Sequence, residues 1–362
     1  MYSNKSPIVF ITDGQGSIVN QDQRVTPSAL KAMPKIDLHR HLEGSLRLET
    51  LLNIAREYNL DLPRGDLEEL RPFVQITDDR PDHEVFLSKF GVLRHFYRSK
   101  EAIQRVAYEA VADAAADNVH YLELRFSPQA LARVQGFDRA VVTDWVIAAT
   151  QEAADKFGIE VNLIITLVRH EPLDQAVEVA EIACARSGKG IVGLDLAGDE
   201  VKFPPAPFIP IFQKAKESGL GVTIHAGEWA SAEGISEAVT ELRADRIGHG
   251  VRVIENSRIS RMALTKGIAF EVCLTSNLQT GAIYNMYHHP LADMLNFGLM
   301  VTLNTDDPGV SNVSLTDEYI IAVEQLGLGY EALRTMTLNA AAAAFLPENG
   351  RLRLINYFEN LL

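Results

Sequence analysis

Two histidines one residue apart, His39 and His41 in KIDLHRHLEG, close an apolar run, and the same placement recurs along the chain. His225 and Glu228 follow the apolar residues of VTIHAGE, His249 ends RIGHG, and Asp306 and Asp307 end VTLNTDDP. Imidazole nitrogens and carboxylate oxygens are ordinary ligands of a divalent metal, and placed carboxyls and imidazoles are the ordinary acids and bases of enzymes. Short apolar runs broken by glycine, proline or acid read as buried strands passing into loops. These groups therefore meet only if the strands are parallel neighbours. Three imidazoles and a carboxylate gathered there would make a zinc site.

Each motif also has an ordinary structural reading. Residues i and i+2 of a strand face one side, so His39 and His41 point together toward the sheet end while Arg40 points away, yet such a pair also suits polar groups satisfied in a core. Gly227 permits a turn that returns Glu228 over the same mouth as an acid or base. A glutamate there equally suits the start of a helix, where it complements the dipole. His249, between Gly248 and Gly250, is either a turn residue or an imidazole closely approached by ligand. Asp306 and Asp307 before Pro308 also describe a helix cap with proline at N1. Taken jointly, the structural readings require these groups to fall by coincidence at the ends of four separate strands.

Eight apolar strand candidates position them: residues 35–41, 119–125, 161–169, 191–197, 221–225, 246–249, 268–274 and 300–305. Between them lie helical patterns at 101–118, 137–157, 173–186, 209–218 and 231–244. The first is the clearest, with Ile103, Val106, Ala107, Ala110, Val111 and Ala114 forming one apolar stripe. Strands alternating with helices imply right-handed βαβ units, and eight of them predict a closed (β/α)8 TIM barrel. The sixth strand is short, so pattern alone also admits an open doubly wound sheet. Both folds put function at the carboxyl ends of the strands.

Residues 1–34 read as an N-terminal extension, with a small hairpin around Gly14 to Gly16 and a polar lead-in to the first strand; residues 35–362 read as the barrel. Extra helical sequence after the first strand, within 59–100, includes PDHEVFLSKFGVLRHF, and long insertions on a functional face often act as lids. The alanine run 340–344 suits a packed helix.

A chain of 362 residues, 47% hydrophobic, has material for one large core. Its net charge of -14 argues against a nucleic-acid binder, whose affinity rests on clustered Lys and Arg. The two cysteines, Cys184 and Cys273, have no metal-ligand spacing, so neither a disulfide framework nor a thiolate site is expected, and a reducing cytoplasm fits. The only apolar stretch near the N-terminus, 8–11, is too short for a signal core, and no run approaches the ~20 residues of a membrane span. Nothing in the sequence sets an oligomeric state.

LHRHLEG, LDLAGDE, HAGE, RIGHG, CLTSNLQTG and LNTDDP, in that order, resemble the motif series of the adenosine deaminase family, the purine-deaminating branch of the amidohydrolase barrels. The resemblance runs from about residue 33 to the C-terminus. It implies one zinc per chain, held by His39, His41, His225 and Asp306. A second metal would be expected to need a bridging lysine at the end of the fourth strand, where Gly198 and Asp199 stand instead. The implied reaction is hydrolytic removal of the amino group at purine C6. Glu228 would protonate N1, which requires its pKa to be raised by burial and neighbouring acids. His249 would orient the attacking water, and Asp306 would accept a hydrogen bond from it. Asp307 would hold the N7 side, the Gly198 N–H the N3 side, and Phe86 and Phe90 would form a hydrophobic lid. That aromatic pair equally reads as a core-facing helix stripe.

The implied substrate is a small-molecule purine nucleoside, adenosine or 2'-deoxyadenosine. One departure bears on it: where the family carries aspartate in HxHLDG, reaching the ribose 5'-hydroxyl, this chain has Glu43. The longer carboxylate also occurs in relatives that act on adenine or 6-aminodeoxyfutalosine, whereas TSNLQTG resembles the adenosine-type sequence. N6-methyl-AMP would need a phosphate site, for which Arg169 and His170 are present, as in the adenosine enzymes. A non-catalytic barrel would be marked by a missing ligand or acid, and every expected position is filled.

Overall fold

The computed structural model describes residues 25–362; the hairpin expected around Gly14 to Gly16 lies outside the described residues. The eight expected strands are present as β1 (Lys35–His41), β2 (Val119–Phe126), β3 (Glu160–Val168), β4 (Ile191–Ala197), β5 (Gly221–Ala226), β6 (Arg246–His249), β7 (Ala269–Val272) and β8 (Met300–Leu303). They pair in parallel in sequence order. The β8–β1 seam closes where β8 runs out: Arg40 bridges to Asp306. There the His41 N–H donates to the Asp306 carbonyl and the Asp306 N–H to the His39 carbonyl, both at 2.8 Å. An open doubly wound sheet would leave free edges and reverse its strand order, so the closed order selects the (β/α)8 barrel. The short sixth run is a genuine strand, because its ladders to β5 and β7 bury all four of its residues.

The helices sit outside, as their apolar stripes require. Ser99 caps the helix Lys100–Ala116, and the stripe from Ile103 to Ala114 is buried as expected. Covering each of its larger side chains contributes roughly 1.5–3 kcal/mol. The lead-in to β1 is more ordered than its polar composition suggests. Thr26 caps the helix Pro27–Ala32, and Leu30 drops into the core. The insertion after β1 holds the helices Leu67–Val74 and His83–Leu93, each started by an aspartate, Asp66 or Asp82, whose carboxylate accepts backbone N–H groups.

The barrel interior departs from the usual layers of branched aliphatics. Arg246 pairs with Glu123 and Glu271, both at 2.6 Å, and Arg125 pairs with Glu271 at 2.8 Å. Below them the Arg246 guanidinium lies 3.6 Å from the centre of the Phe345 ring, which closes the bottom. These buried charges are tolerable only because they neutralise one another. They form the floor of the site.

Candidate active site

Strand parity brings the opening pair together. The His39 and His41 Nε2 atoms lie 3.3 Å apart, and His41 Nε2 is also 3.3 Å from His225 Nε2. Asp306 Oδ1 lies 3.2 Å from His39 Nε2 and 3.3 Å from His41 Nε2. Four donors around a tetrahedral metal with 2.0–2.1 Å bonds would be about 3.3 Å from one another. The far side of two rings explains why lone pairs face inward. His39 Nδ1 is 2.8 Å from Glu271 and His225 Nδ1 is 2.9 Å from Asp195, so each Nδ1–H is given to a carboxylate. Burial pushes the His41 pKa well below its ordinary value, while hydrogen bonds to Asp306 and Glu271 outweigh burial and raise that of His39. Imidazole lone pairs aimed at one another repel unless a cation lies between them, so the donor set fits a divalent metal.

Two further groups lie within reach of this cluster, His249 and Asp195. His249 lies with His39, His225 and Asp306, and Asp195 with His41 and His225, but each has another partner. The Asp195 carboxylate is already spent on His225, and His249 Nε2 instead faces Glu228 Oε2 at 3.5 Å and Asp306 Oδ2 at 3.8 Å. Gly248 makes room for the cluster, since a Cβ there would press on the rings of His39 and His225. His249 and Asp306 both hold φ near +60° (58° and 62°), a strained backbone for residues with side chains.

Glu228 is buried, and its pKa is raised well above the carboxylate range, first by burial and then by the charges of Asp306 and Glu200. Thr280 donates to its Oε1 at 3.3 Å. The loop carrying it is held by one side chain: Glu200 accepts the N–H groups of Gly227, Glu228, Trp229 and Ala230 at 2.6–2.9 Å. The alternative role for Glu228 as a dipole-complementing acid of the next helix does not arise, because that helix starts at Glu233 rather than at residue 231.

These groups open onto a cavity of about 980 Å³ lined by Glu43, Phe86, Phe90, Gly198 and Asp307, among others. The ligand, acid–base, Glu43, Gly198 and lid residues singled out from the sequence therefore line this cavity or the cluster at its floor, and so does His170, whereas Arg169 is turned aside and donates to the Phe203 and His225 carbonyls. Phe86 and Phe90, on the helix His83–Leu93, stand 6.0 Å apart by ring centres over the mouth. Phe86 also packs into the core, so both readings of that pair describe it in part. Burial, then Asp306 and Glu43, raises the Asp307 pKa well above the ordinary range. Asp307 packs directly on Gly44, where any side chain would collide with it. Glu43 Oε1 accepts the Ser127 N–H at 2.7 Å, its Oε2 has no partner, and burial lifts its pKa to about 7.

Sequence reasoning missed the second layer: Asp195, Glu271 and Arg125 inside strands, Glu200 below its loop, and Asn277 beside His249. The available signal was charge inside strands that otherwise read as apolar, as in LDLA and FEV.

The adenosine deaminase family model matches residues 34–360. An adenosine deaminase of Klebsiella pneumoniae is 41% identical over 325 residues, covering 90% of this chain and 97% of that protein. Among solved structures, an adenine deaminase from Arthrobacter aurescens superposes with a TM-score of 0.83 at 28% identity, covering 91% of this chain and 98% of that one. An amidohydrolase from Burkholderia ambifaria with bound Zn gives 0.84 at 26%, covering 95% and 96%. No helix among the described residues is long and apolar enough to cross a membrane. Cluster, cavity and sequence agree: the chain is a metal-site barrel that belongs to the adenosine deaminase family.

Proposed function

We propose that this protein catalyses the hydrolytic deamination of adenosine and 2'-deoxyadenosine, giving inosine or 2'-deoxyinosine and ammonia, with one zinc per chain. The observation that carries this is the meeting, at one cavity, of an N3O donor cluster with a buried Glu228 whose pKa is raised well above the carboxylate range. The donor set and its spacing suit zinc, and the Burkholderia structure contains that ion. Zinc, when bound, lowers the pKa of water toward ~7 and so supplies a nucleophile at neutral pH.

The side chains divide the remaining work. Glu228 gives its proton to N1 as water adds at C6, which spares the ring a full negative charge. His249 and Asp306 flank the attacking oxygen, one to steer it and one to accept its hydrogen bond. Protonated Asp307 donates to N7, an acceptor, and the Gly198 N–H meets N3. Phe86 and Phe90 cover the base and exclude bulk water. Two free cysteines among the described residues accord with a reducing cytoplasm.

The test is the fall in absorbance at the adenosine maximum together with ammonia release, abolished by chelation. A zinc-loaded protein that leaves adenosine untouched would overturn the assignment. The unpartnered Glu43 Oε2 favours a second reading, a 6-aminopurine other than adenosine. Parallel assays on adenine, 6-aminodeoxyfutalosine and N6-methyl-AMP separate the two by kcat/KM.

A further inference from the structure

His249 ends a chain of hydrogen bonds whose direction is set by a backbone donor. The Leu291 N–H donates to His289 Nδ1 at 3.1 Å, so that nitrogen carries a lone pair and the ring proton sits on Nε2. Burial pushes the His289 pKa down to about 3, which keeps this ring neutral. Its Nε2–H lies 3.2 Å from Asn277 Oδ1. That contact fixes the orientation of a fully buried amide, whose Nδ2–H must then donate to His249 Nδ1 at 3.1 Å. A neutral His249 with its lone pair on Nδ1 bears its proton on Nε2. That is the atom facing Glu228 and Asp306 at 3.5 and 3.8 Å.

We propose that Asn277 and His289 are positioning residues that lock His249 in the tautomer presenting an Nε2–H donor to the reaction centre. His249 then steers the attacking oxygen by donating to it and does not take its proton. The lock rests on the preceding reading only in assigning His249 to the attacking water; the tautomer follows from hydrogen-bond direction alone. It also explains why His249, although within reach of the metal cluster, is not a fifth ligand, because a protonated Nε2 has no lone pair to give.

The experiment is long-range proton–nitrogen NMR on the zinc-loaded protein labelled with 15N-histidine, run beside steady-state kinetics and metal analysis. Wild-type His249 is expected as the Nε2–H tautomer. In Asn277→Asp, a carboxylate accepts from His289 and demands a proton from His249 as well, so His249 switches to Nδ1–H. The kcat should fall by about 10²–10⁴-fold with KM changed less than about threefold, the scale of a wrong-tautomer histidine in serine proteases. His289→Gln keeps a donor for Asn277 Oδ1 and should retain the wild-type tautomer with kcat within about threefold. His289→Leu lets the amide turn and should give a mixture of tautomers, with equal zinc content. An Nδ1–H tautomer in the wild type, or an unchanged tautomer in both Asn277→Asp and His289→Leu, overturns the lock. If the wild type shows the expected tautomer but deaminates none of the purines, the proposed function falls while the lock stands.

Discussion

Replacing Glu271 by glutamine asks whether metal affinity is set behind the ligands rather than by them. Glu271 is fully buried and uses both oxygens: Oε2 takes His39 Nδ1 and Arg125 at 2.8 Å, and Oε1 takes Thr223 at 3.0 Å and Arg246 at 2.6 Å. Glutamine keeps the volume but replaces one oxygen with a donor, which must face either His39 and Arg125 or Thr223 and Arg246. Two consequences follow from this geometry. The His39 ring loses orientation or basicity, and loss of such a partner typically weakens metal binding 10–100-fold, or about 1.4–2.8 kcal/mol. Two buried arginines also lose their shared counter-charge, at a cost of roughly 3–5 kcal/mol to the metal-free fold. Asp195→Asn is the control, since Asp195 serves His225 at 2.9 Å but is 3.6 Å from Arg125 and does not reach Arg246. It should lose as much metal affinity and less stability. Competition with a chromogenic chelator reads the first quantity, and urea unfolding of the metal-free proteins reads the second. Glu271→Gln with metal affinity within twofold of wild type, or two variants equally destabilised, would refute the reasoning.

Glu228→Gln should lower kcat by about 10²–10⁴-fold while leaving zinc content unchanged, read by turnover and metal analysis. The raised Glu228 pKa sets the sign of the pH profile. Its acid form is the competent one, so kcat should fall as pH rises through the raised value. Burial ranks ahead of Asp306 among the causes, so that direction survives neutralisation of Asp306 by a bound cation. Glu200→Ala removes the acceptor of four N–H groups and should lower kcat more than it raises KM; in a Glu228→Gln background most of that loss should disappear, as it must if Glu200 acts through Glu228. Glu43→Asp withdraws the carboxylate from the Ser127 N–H and should alter kcat/KM for adenosine while sparing adenine; equal changes on both would place Glu43 outside sugar recognition.

The fold was readable because most strands ended in a chemical discontinuity, an apolar run meeting His, Asp or Gly, whereas β2 and β7, which pass into Ser127 and Cys273, were marked by their apolar runs alone. Even β6, only four residues long, was marked by its His and Gly. The catalytic face was readable for the same reason, since parallel strands deliver their ends to one side. What the sequence concealed was pairing across the barrel. Glu271 on β7 serves His39 on β1, and Asp195 on β4 serves His225 on β5, so only three-dimensional neighbourhood reveals either. Asn277 and His289 were hidden differently. Asn277 sits in TSNLQTG, whose resemblance drew attention to substrate preference, and His289 lies outside every motif, while their hydrogen-bond direction depends on a single backbone N–H at Leu291.

The barrel closes where Asp306 pairs with β1 through backbone and brings the fourth ligand to His39 and His41. During synthesis the first two ligands leave the ribosome early and His225 follows, but neither closure nor a complete ligand set exists until the segment after β8 emerges. With the proposed ligand set, acquisition of metal and completion of the barrel would become one late event, and a chain truncated before Asp306 would lack both the seam pairing and the fourth donor.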